Sequence, residues 1–145
     1  MMRKLALGAV LVVSAGLVLA LQAVPLSAHH AFAAEFDASK PIQFKKAIVT
    51  RMEWVNPHVW IHIDVALPDG KVEKWAIEAG TPNVLFRRGF TKADLMPGTE
   101  IVVDGYRAKD GSRRANGRDL TLPDGRTLFL GSSGTGSPDE AKRPN

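Results

Sequence analysis

Hydrophobic and polar residues alternate along most of the chain between residues 42 and 130, which is the pattern of β-strands. The clearest case is residues 58–67 (HVWIHIDVAL), where valine and isoleucine take one face and His58, Trp60, His62 and Asp64 take the other. Further strands are predicted at residues 42–55, 71–78, 99–107, 118–122 and 126–130. Because the alternation in 42–55 is imperfect, we expect that strand to be bent or bulged.

One helix interrupts the series of strands. Thr81 can cap its N-terminus, Pro82 suits the first helical position, and Gly89 can end it. Two Pro-Asp-Gly turns, at 68–70 and 123–125, connect neighbouring strands. The order β-β-β-α-β-β(-β) predicts an all-β fold with one short helix, a small OB-type Greek-key barrel. A β-sandwich is the alternative, although the roughly seven strands of a typical sandwich are hard to find here.

The N-terminal segment has the composition of a secretory signal. Arg3 and Lys4 precede an uncharged run over residues 5–24, and small residues follow. Cleavage is expected after Ala28, with cleavage after Ala33 as the alternative. Because ~20 apolar residues can span a bilayer, retention as a membrane anchor is a further alternative. In each case the rest of the chain is exported, so a periplasmic or secreted protein is predicted.

The predicted organisation has four parts. They are a signal peptide (1–28), an N-terminal arm (29–40), a β-barrel domain (41–130) and a disordered tail (131–145). The arm is expected to be extended, although the four-residue spacing of Phe32 and Phe36 also suits a helical turn. The tail, GSSGTGSPDEAKRPN, contains no apolar side chain larger than alanine, so it cannot bury enough surface to fold.

Charge and cysteine content narrow the classes of function. The chain has no cysteine, which excludes disulfides, thiolate metal sites and a catalytic thiol. Its net charge of +4 falls to +2 without residues 1–28, because Arg3 and Lys4 leave and 17 basic residues then face 15 acidic ones. Export also argues against nucleic acid as a partner. The sequence does not indicate an oligomeric state.

A basic stretch at residues 107–118 is the main charged feature of the predicted domain. It contains one acid, Asp110, against five cations: Arg107, Lys109, Arg113, Arg114 and Arg118. Such a stretch predicts either a surface that binds an anion or an acidic partner, or a solvated loop.

Four histidines are the candidate metal ligands: His29, His30, His58 and His62. Cleavage after Ala28 would place His29 at the new N-terminus, where a free amine and imidazole rings can bind a metal near neutral pH. Imidazole suits copper, zinc and nickel, and copper(II) binds most strongly.

The histidines of the alternating strand form a second candidate site. His58 and His62 are about 13 Å apart along a regular strand. One metal ion cannot bridge that distance, so each histidine needs ligands from other elements, or both are plain surface residues. Trp60 and Asp64 share their face and complete a candidate ligand platform.

Motifs for catalysis are missing from the sequence. It contains no GxSxG, HExxH or phosphate-loop pattern. We therefore predict an exported binding protein, not an enzyme, with no catalytic residue assigned and a metal such as copper, or another small ligand, as its cargo. The alternative is a structural or interaction protein of the cell envelope that binds an anionic partner through the basic stretch. A copper oxidase that uses His29 is a third hypothesis. The membrane is a partner only if the N-terminal segment is uncleaved.

Several motifs together resemble a family of small exported bacterial proteins that is labelled as a domain of unknown function. They are HHAFAAEFD (29–37), WVNPHVW (54–60), GYRAKDGS (105–112) and DGRTLF (124–129). The resemblance covers residues 29–130 and implies export and a single β-rich domain, but no activity. OB-type periplasmic copper carriers are a weaker similarity of fold and compartment. They use His, Met and Trp ligands, and this chain lacks their closely spaced methionine pair.

Overall fold

The computed structural model describes residues 29–131, which form a closed ring of β-strands with two short helices and a 3₁₀ turn. In chain order the elements are α1 His29–Glu35, β1 Phe36–Glu53, β2 Trp60–Ala66, β3 Val72–Glu78, α2 Pro82–Arg87, the 3₁₀ turn Lys92–Leu95, β4 Glu100–Ala108, β5 Arg114–Thr121 and β6 Thr127–Phe129. The predicted signal peptide, and the predicted tail beyond Gly131, lie outside the described residues. Neither helix of residues 29–131 has the length and apolar character that crossing a membrane requires.

The strands follow the order β3-β2-β1-β4-β5-β6 in one sheet, and consecutive neighbours are antiparallel. A parallel pairing of β3 with β5 closes the ring, while β6 adds to the outer edge of β5. This closure is short, because it joins only three residue pairs, from Ala76↔Arg114 to Glu78↔Asn116. The all-β, OB-type prediction is confirmed. The sandwich alternative does not apply, because the described strands form one sheet rather than two.

The longest strand, β1, is bulged, as its imperfect alternation predicts. It spans 18 residues and pairs with both β2 and β4. Val49 lies opposite Ile63, whereas Arg51 lies opposite His62, so Thr50 is an extra residue in β1. Val49 is buried in the core. In a regular strand Arg51 would share the inward face of Val49, so the extra residue turns Arg51 to the outer face of the ring.

The hydrophobic core fills the ring. The inward residues of the alternating segment, Val59, Ile61, Ile63 and Val65, are all at most 8% exposed, as predicted. Leu85 of α2 packs into the same core. The helix begins where the sequence indicates, since the Thr81 side chain accepts a hydrogen bond from the backbone N–H of Val84 at 3.3 Å.

The N-terminal arm differs from the extended segment that we expected. Residues 29–35 are helical, β1 begins at Phe36, and the fold therefore has a second helix. Phe32 and Phe36 are 4% and 2% exposed and pack with Tyr106 and Ala108 in a small second core. The sequence does not show that β1 begins as early as Phe36, because the polar segment DASKP (37–41) does not alternate and separates Phe36 from the alternating part of the strand.

The connection between the predicted strands 99–107 and 118–122 is also shorter in the structure. Because β4 continues to Ala108 and β5 begins at Arg114, Ala115 and Asn116 are buried in the ring. The sequence RANG gives no alternating signal, which explains the error. Gly117 is needed here for space, since an added Cβ would lie 2.6 Å from the Cδ1 atom of Leu130.

Candidate functional site

His58 and His62 lie on the outer surface of the ring, on either side of Trp60, and each faces a glutamate. His58 precedes β2 and places its Nδ1 atom 3.2 Å from the carbonyl oxygen of Ala79 and 3.5 Å from Oε1 of Glu78. His62 places its Nε2 atom 3.1 Å from Oε1 of Glu53. The structure therefore contains two separate histidine–glutamate pairs: His58 pairs with Glu78 of β3, and His62 pairs with Glu53 of β1.

Neither glutamate was paired with a histidine in the prediction from the sequence. Each is the last residue of its strand, and each lies in register with Trp60, Glu53 from one side and Glu78 from the other. A signal for Glu78 was present in the hairpin, because pairing residues 60–66 with 72–78 around the Pro-Asp-Gly turn sets Trp60 opposite it.

Glu78 is the most unusual carboxyl group of this surface. Its side chain is 12% exposed, and its Oε1 accepts a hydrogen bond from Nδ2 of Asn116 at 3.4 Å. Burial raises the pKa of Glu78, and the negative charge of Glu35 adds to the rise. His58, Asn116 and Arg114 lower the pKa but offset only part of this increase. A cation bound here would therefore favour the charged form of Glu78.

Asn116 adds an unsatisfied acceptor beside Glu78. It is 6% exposed, and its Oδ1 atom has no hydrogen-bond partner in the described part of the structure. A buried acceptor without a partner costs ~1–3 kcal/mol. A proton donor or a cation at this position would remove part of that cost.

The second pair, His62 and Glu53, is already occupied by a cation. Nη2 of Arg51 lies 2.6 Å from Oε1 of Glu53 and 3.1 Å from Nε2 of His62. A metal ion at this pair would have to displace or approach a permanently charged guanidinium group. Of the two pairs, the one formed by His58 and Glu78 is therefore the better candidate for metal binding.

The other two members of the predicted ligand face are where the strand pattern places them. Trp60 is half-buried on the outer face between the two pairs. Asp64 lies opposite Lys74 across the hairpin, and its Oδ1 atom is buried without a hydrogen-bond partner in the described part of the chain.

His29 and His30 begin α1, and their side chains are not part of what the structure describes. Only the last residue of the helix, Glu35, has a described link to the pair formed by His58 and Glu78. Nη1 of Arg114 is 3.4 Å from Oε2 of Glu35, the last residue of α1, and Glu35 is close enough to influence Glu78. Among the described side chains, no group of three His, Asp or Glu residues converges to hold a metal ion.

The cations of the basic stretch have nearby partners in the structure. Three of its arginines have carboxylate partners: Arg113 with Glu73 at 3.1 Å, Arg114 with Asp110 at 3.1 Å and with Glu35, and Arg118 with Asp119 at 2.9 Å. The guanidinium of Arg107 lies 5.5 Å from the ring centre of Trp75, and the Lys109 ammonium donates to the carbonyl oxygen of Ala33. Most of these partners are distant in sequence, so counting charges within residues 107–118 could not reveal them.

Comparison with known proteins adds a family but no function. No curated protein and no solved structure matches this chain significantly. One family model, described as a family of unknown function (DUF6152), matches residues 16–117. This range covers well over half of the chain; within the described residues it extends from α1 to the middle of β5, so it includes Glu78 and Asn116. The chain therefore belongs to the family of unknown function DUF6152.

Proposed function

We propose that this protein is an exported binding protein that holds a metal ion, with copper(II) as the first candidate, at His58. The basic and apolar composition of residues 1–24 supports export. The observation that carries the metal proposal is the position of Nδ1 of His58, 3.2 Å from the carbonyl oxygen of Ala79 and 3.5 Å from Glu78.

This arrangement prepares the other ring nitrogen for a metal. When Nδ1 of His58 donates its hydrogen to the Ala79 carbonyl, the free lone pair is on Nε2. Metal-binding histidines usually donate the second ring N–H to a backbone carbonyl or a carboxylate, which orients the ring. Among the described side chains, whose first is Phe32, none is hydrogen-bonded to Nε2 of His58, so this nitrogen is available as a ligand.

The electrostatic surroundings also favour a cation. Glu78 keeps a raised pKa because it is buried and faces the charge of Glu35. The partnerless Oδ1 of Asn116 lies in the same cluster. A bound dication would stabilise the carboxylate form of Glu78, and the proton would be released as the metal binds.

We propose that His29 and His30 supply further ligands. At 1.5 Å per residue, the seven residues of α1 span about 10 Å, so the backbone of both histidines lies within about 10 Å of Glu35 along the helix. Glu35 in turn lies beside Arg114 and influences Glu78. Cleavage after Ala28 would add the terminal amine of His29 to the ligand set.

Copper(II) titration of the exported protein tests this proposal, after its N-terminus has been determined by mass spectrometry. His58→Gln and the double variant His29→Ala/His30→Ala should each weaken binding by at least about tenfold. His62→Gln is the matched control, because it removes the histidine whose pair already contains Arg51. Equal affinities of wild type and His58→Gln, or a loss confined to His62→Gln, would overturn the assignment.

The envelope-interaction alternative has weaker support. It relies on the basic stretch, in which carboxylates beside Arg113, Arg114 and Arg118 neutralise part of the positive charge. It predicts that partners co-purify with the wild type and are lost after charge reversal at Arg113 and Arg114. Copper binding that survives this charge reversal would separate the two proposals.

A further inference from the structure

A groove of about 350 Å³ lies on the outer face of the ring, across β1, β2 and β3. The polar side chains along it are Thr50, Arg51, His62, Lys74 and Arg113. Ala76, which lies opposite His62, lines the groove with only a methyl group and so leaves space between the larger side chains. Small-molecule sites measure ~300–1,000 Å³, so the groove has room for a small ligand.

Three permanent cations surround this groove. Lys74 is exposed and has no ion pair or hydrogen bond to another side chain in the described part of the chain. Arg51 pairs with Glu53 at 2.6 Å, and Arg113 pairs with Glu73 at 3.1 Å. A guanidinium group has five N–H donors, so each arginine keeps donors for a further acceptor. The two arginine side chains are also 63% and 58% exposed, which leaves them accessible.

The bulge in β1 is what brings Arg51 into the groove. Regular alternation from Val49 would point Arg51 into the core, and the extra residue Thr50 turns it outward, opposite His62. The Thr50 hydroxyl donates to the His62 carbonyl oxygen at 3.2 Å and so ties the bulge to β2. Bulges often lie beside functional sites because they redirect a side chain.

We propose that this groove binds a phosphate-type oxyanion, either as a free anion or as the phosphomonoester headgroup of a lipid. Arginine recognises such oxygens through paired N–H donors, and lysine adds a point charge, so Arg51, Arg113 and Lys74 form a suitable set. This binding goes beyond the proposed metal site and uses neither His58 nor Glu78. The two proposals can therefore fail independently.

Lys74→Met is the sharpest test, because it removes a cation without breaking any described ion pair. Lys45→Met is the matched control, since Lys45 is an exposed lysine of β1 that does not line the groove. Calorimetric titration with pyrophosphate measures the free anion. Co-sedimentation with phosphatidylcholine vesicles, with and without phosphatidic acid, measures the lipid headgroup.

We expect Lys74→Met to weaken binding by about tenfold or more, in keeping with the loss of a charged hydrogen bond, and Lys45→Met to leave it unchanged. Binding to pyrophosphate alone identifies a free anion as the ligand, and binding to phosphatidic acid vesicles alone identifies a headgroup. Binding to both supports recognition of the phosphate group itself. The proposal is overturned if neither probe binds, or if both lysine variants lose affinity equally.

Discussion

Replacing Phe32 by alanine tests whether α1 belongs to the folded body and so can present His29 and His30. Phe32 is 4% exposed, and its ring centre lies 5.5 Å from that of Tyr106 and 5.9 Å from that of Phe36. Truncating a buried phenylalanine to alanine costs ~3–5 kcal/mol. Because this cluster has four residues and is separate from the main core, we expect a loss near the lower end, about 3 kcal/mol.

Two measurements separate loss of α1 docking from unfolding of the barrel. If α1 detaches before the barrel unfolds, the free energy of global unfolding falls only by the docking energy. Urea denaturation followed by tryptophan fluorescence reports on the barrel, since Trp75 lies in the core and Trp54 packs against it. Hydrogen exchange of the Lys109 amide reports on docking, since this N–H donates to the Glu35 carbonyl at 2.9 Å. We expect Phe32→Ala to accelerate that exchange.

Phe86→Ala is the matched control for this experiment. Phe86 lies on α2 and is 67% exposed, so its truncation should change the free energy of unfolding by less than about 0.5 kcal/mol. If Phe32→Ala matched this control in both measurements, α1 would not be docked as described. The proposed contribution of His29 and His30 to the metal site would then lose its structural basis.

Three further predictions concern stability. Burial raises the pKa of Glu78 above its ordinary value of 4.5, so the wild type should lose stability as the pH rises from 4.5 through the pKa of the folded state. Glu78→Gln has no carboxyl group to ionise, so it should not show this loss and should be more stable than the wild type in urea denaturation at neutral pH. Burial raises the pKa of Asp94, but hydrogen bonds from Thr91 outweigh it and keep the pKa below 3.8. Asp94→Asn should therefore cost about 1 kcal/mol at neutral pH, and the difference should vanish in urea titrations as pH falls through the lowered pKa. Gly105→Ala should cost about 2 kcal/mol or more in urea midpoint measurements, because its Cβ would overlap the carbonyl oxygen of Asn116.

The strand pattern was sufficient to predict the barrel but not its N-terminal helix. Alternation in 58–67 identified both the core face and the outer face correctly, because a strand has one fixed period. The seven residues of α1 give too short a window for periodicity, and its docking depends on Tyr106, about seventy residues away. Ring closure through Ala115 and Asn116 is likewise a long-range pairing without local signal.

The candidate site was predictable only in part, for a related reason. The residue types His58, Trp60 and His62 were visible in one strand segment. Their glutamate partners come from neighbouring strands, where register rather than composition decides the contact. The same holds for the basic stretch, since Glu35 and Glu73 neutralise it from far away in the sequence. Side-chain pairing across a sheet requires the register, which a list of residues does not contain.

The seam that closes the ring is also where the candidate metal site lies. Glu78 and Asn116 are the last pair of the short β3–β5 closure, a position where apolar side chains would stabilise the barrel more. The protein instead keeps there a carboxyl group with a raised pKa and a buried amide oxygen without a described partner, and both reduce the stability of the closure. A bound cation on Nε2 of His58 would relieve the first of these, since its charge would favour the carboxylate form of Glu78. Metal binding at His58 should therefore also strengthen the closure of the barrel, so that copper(II) raises the unfolding temperature of the wild type but not that of His58→Gln.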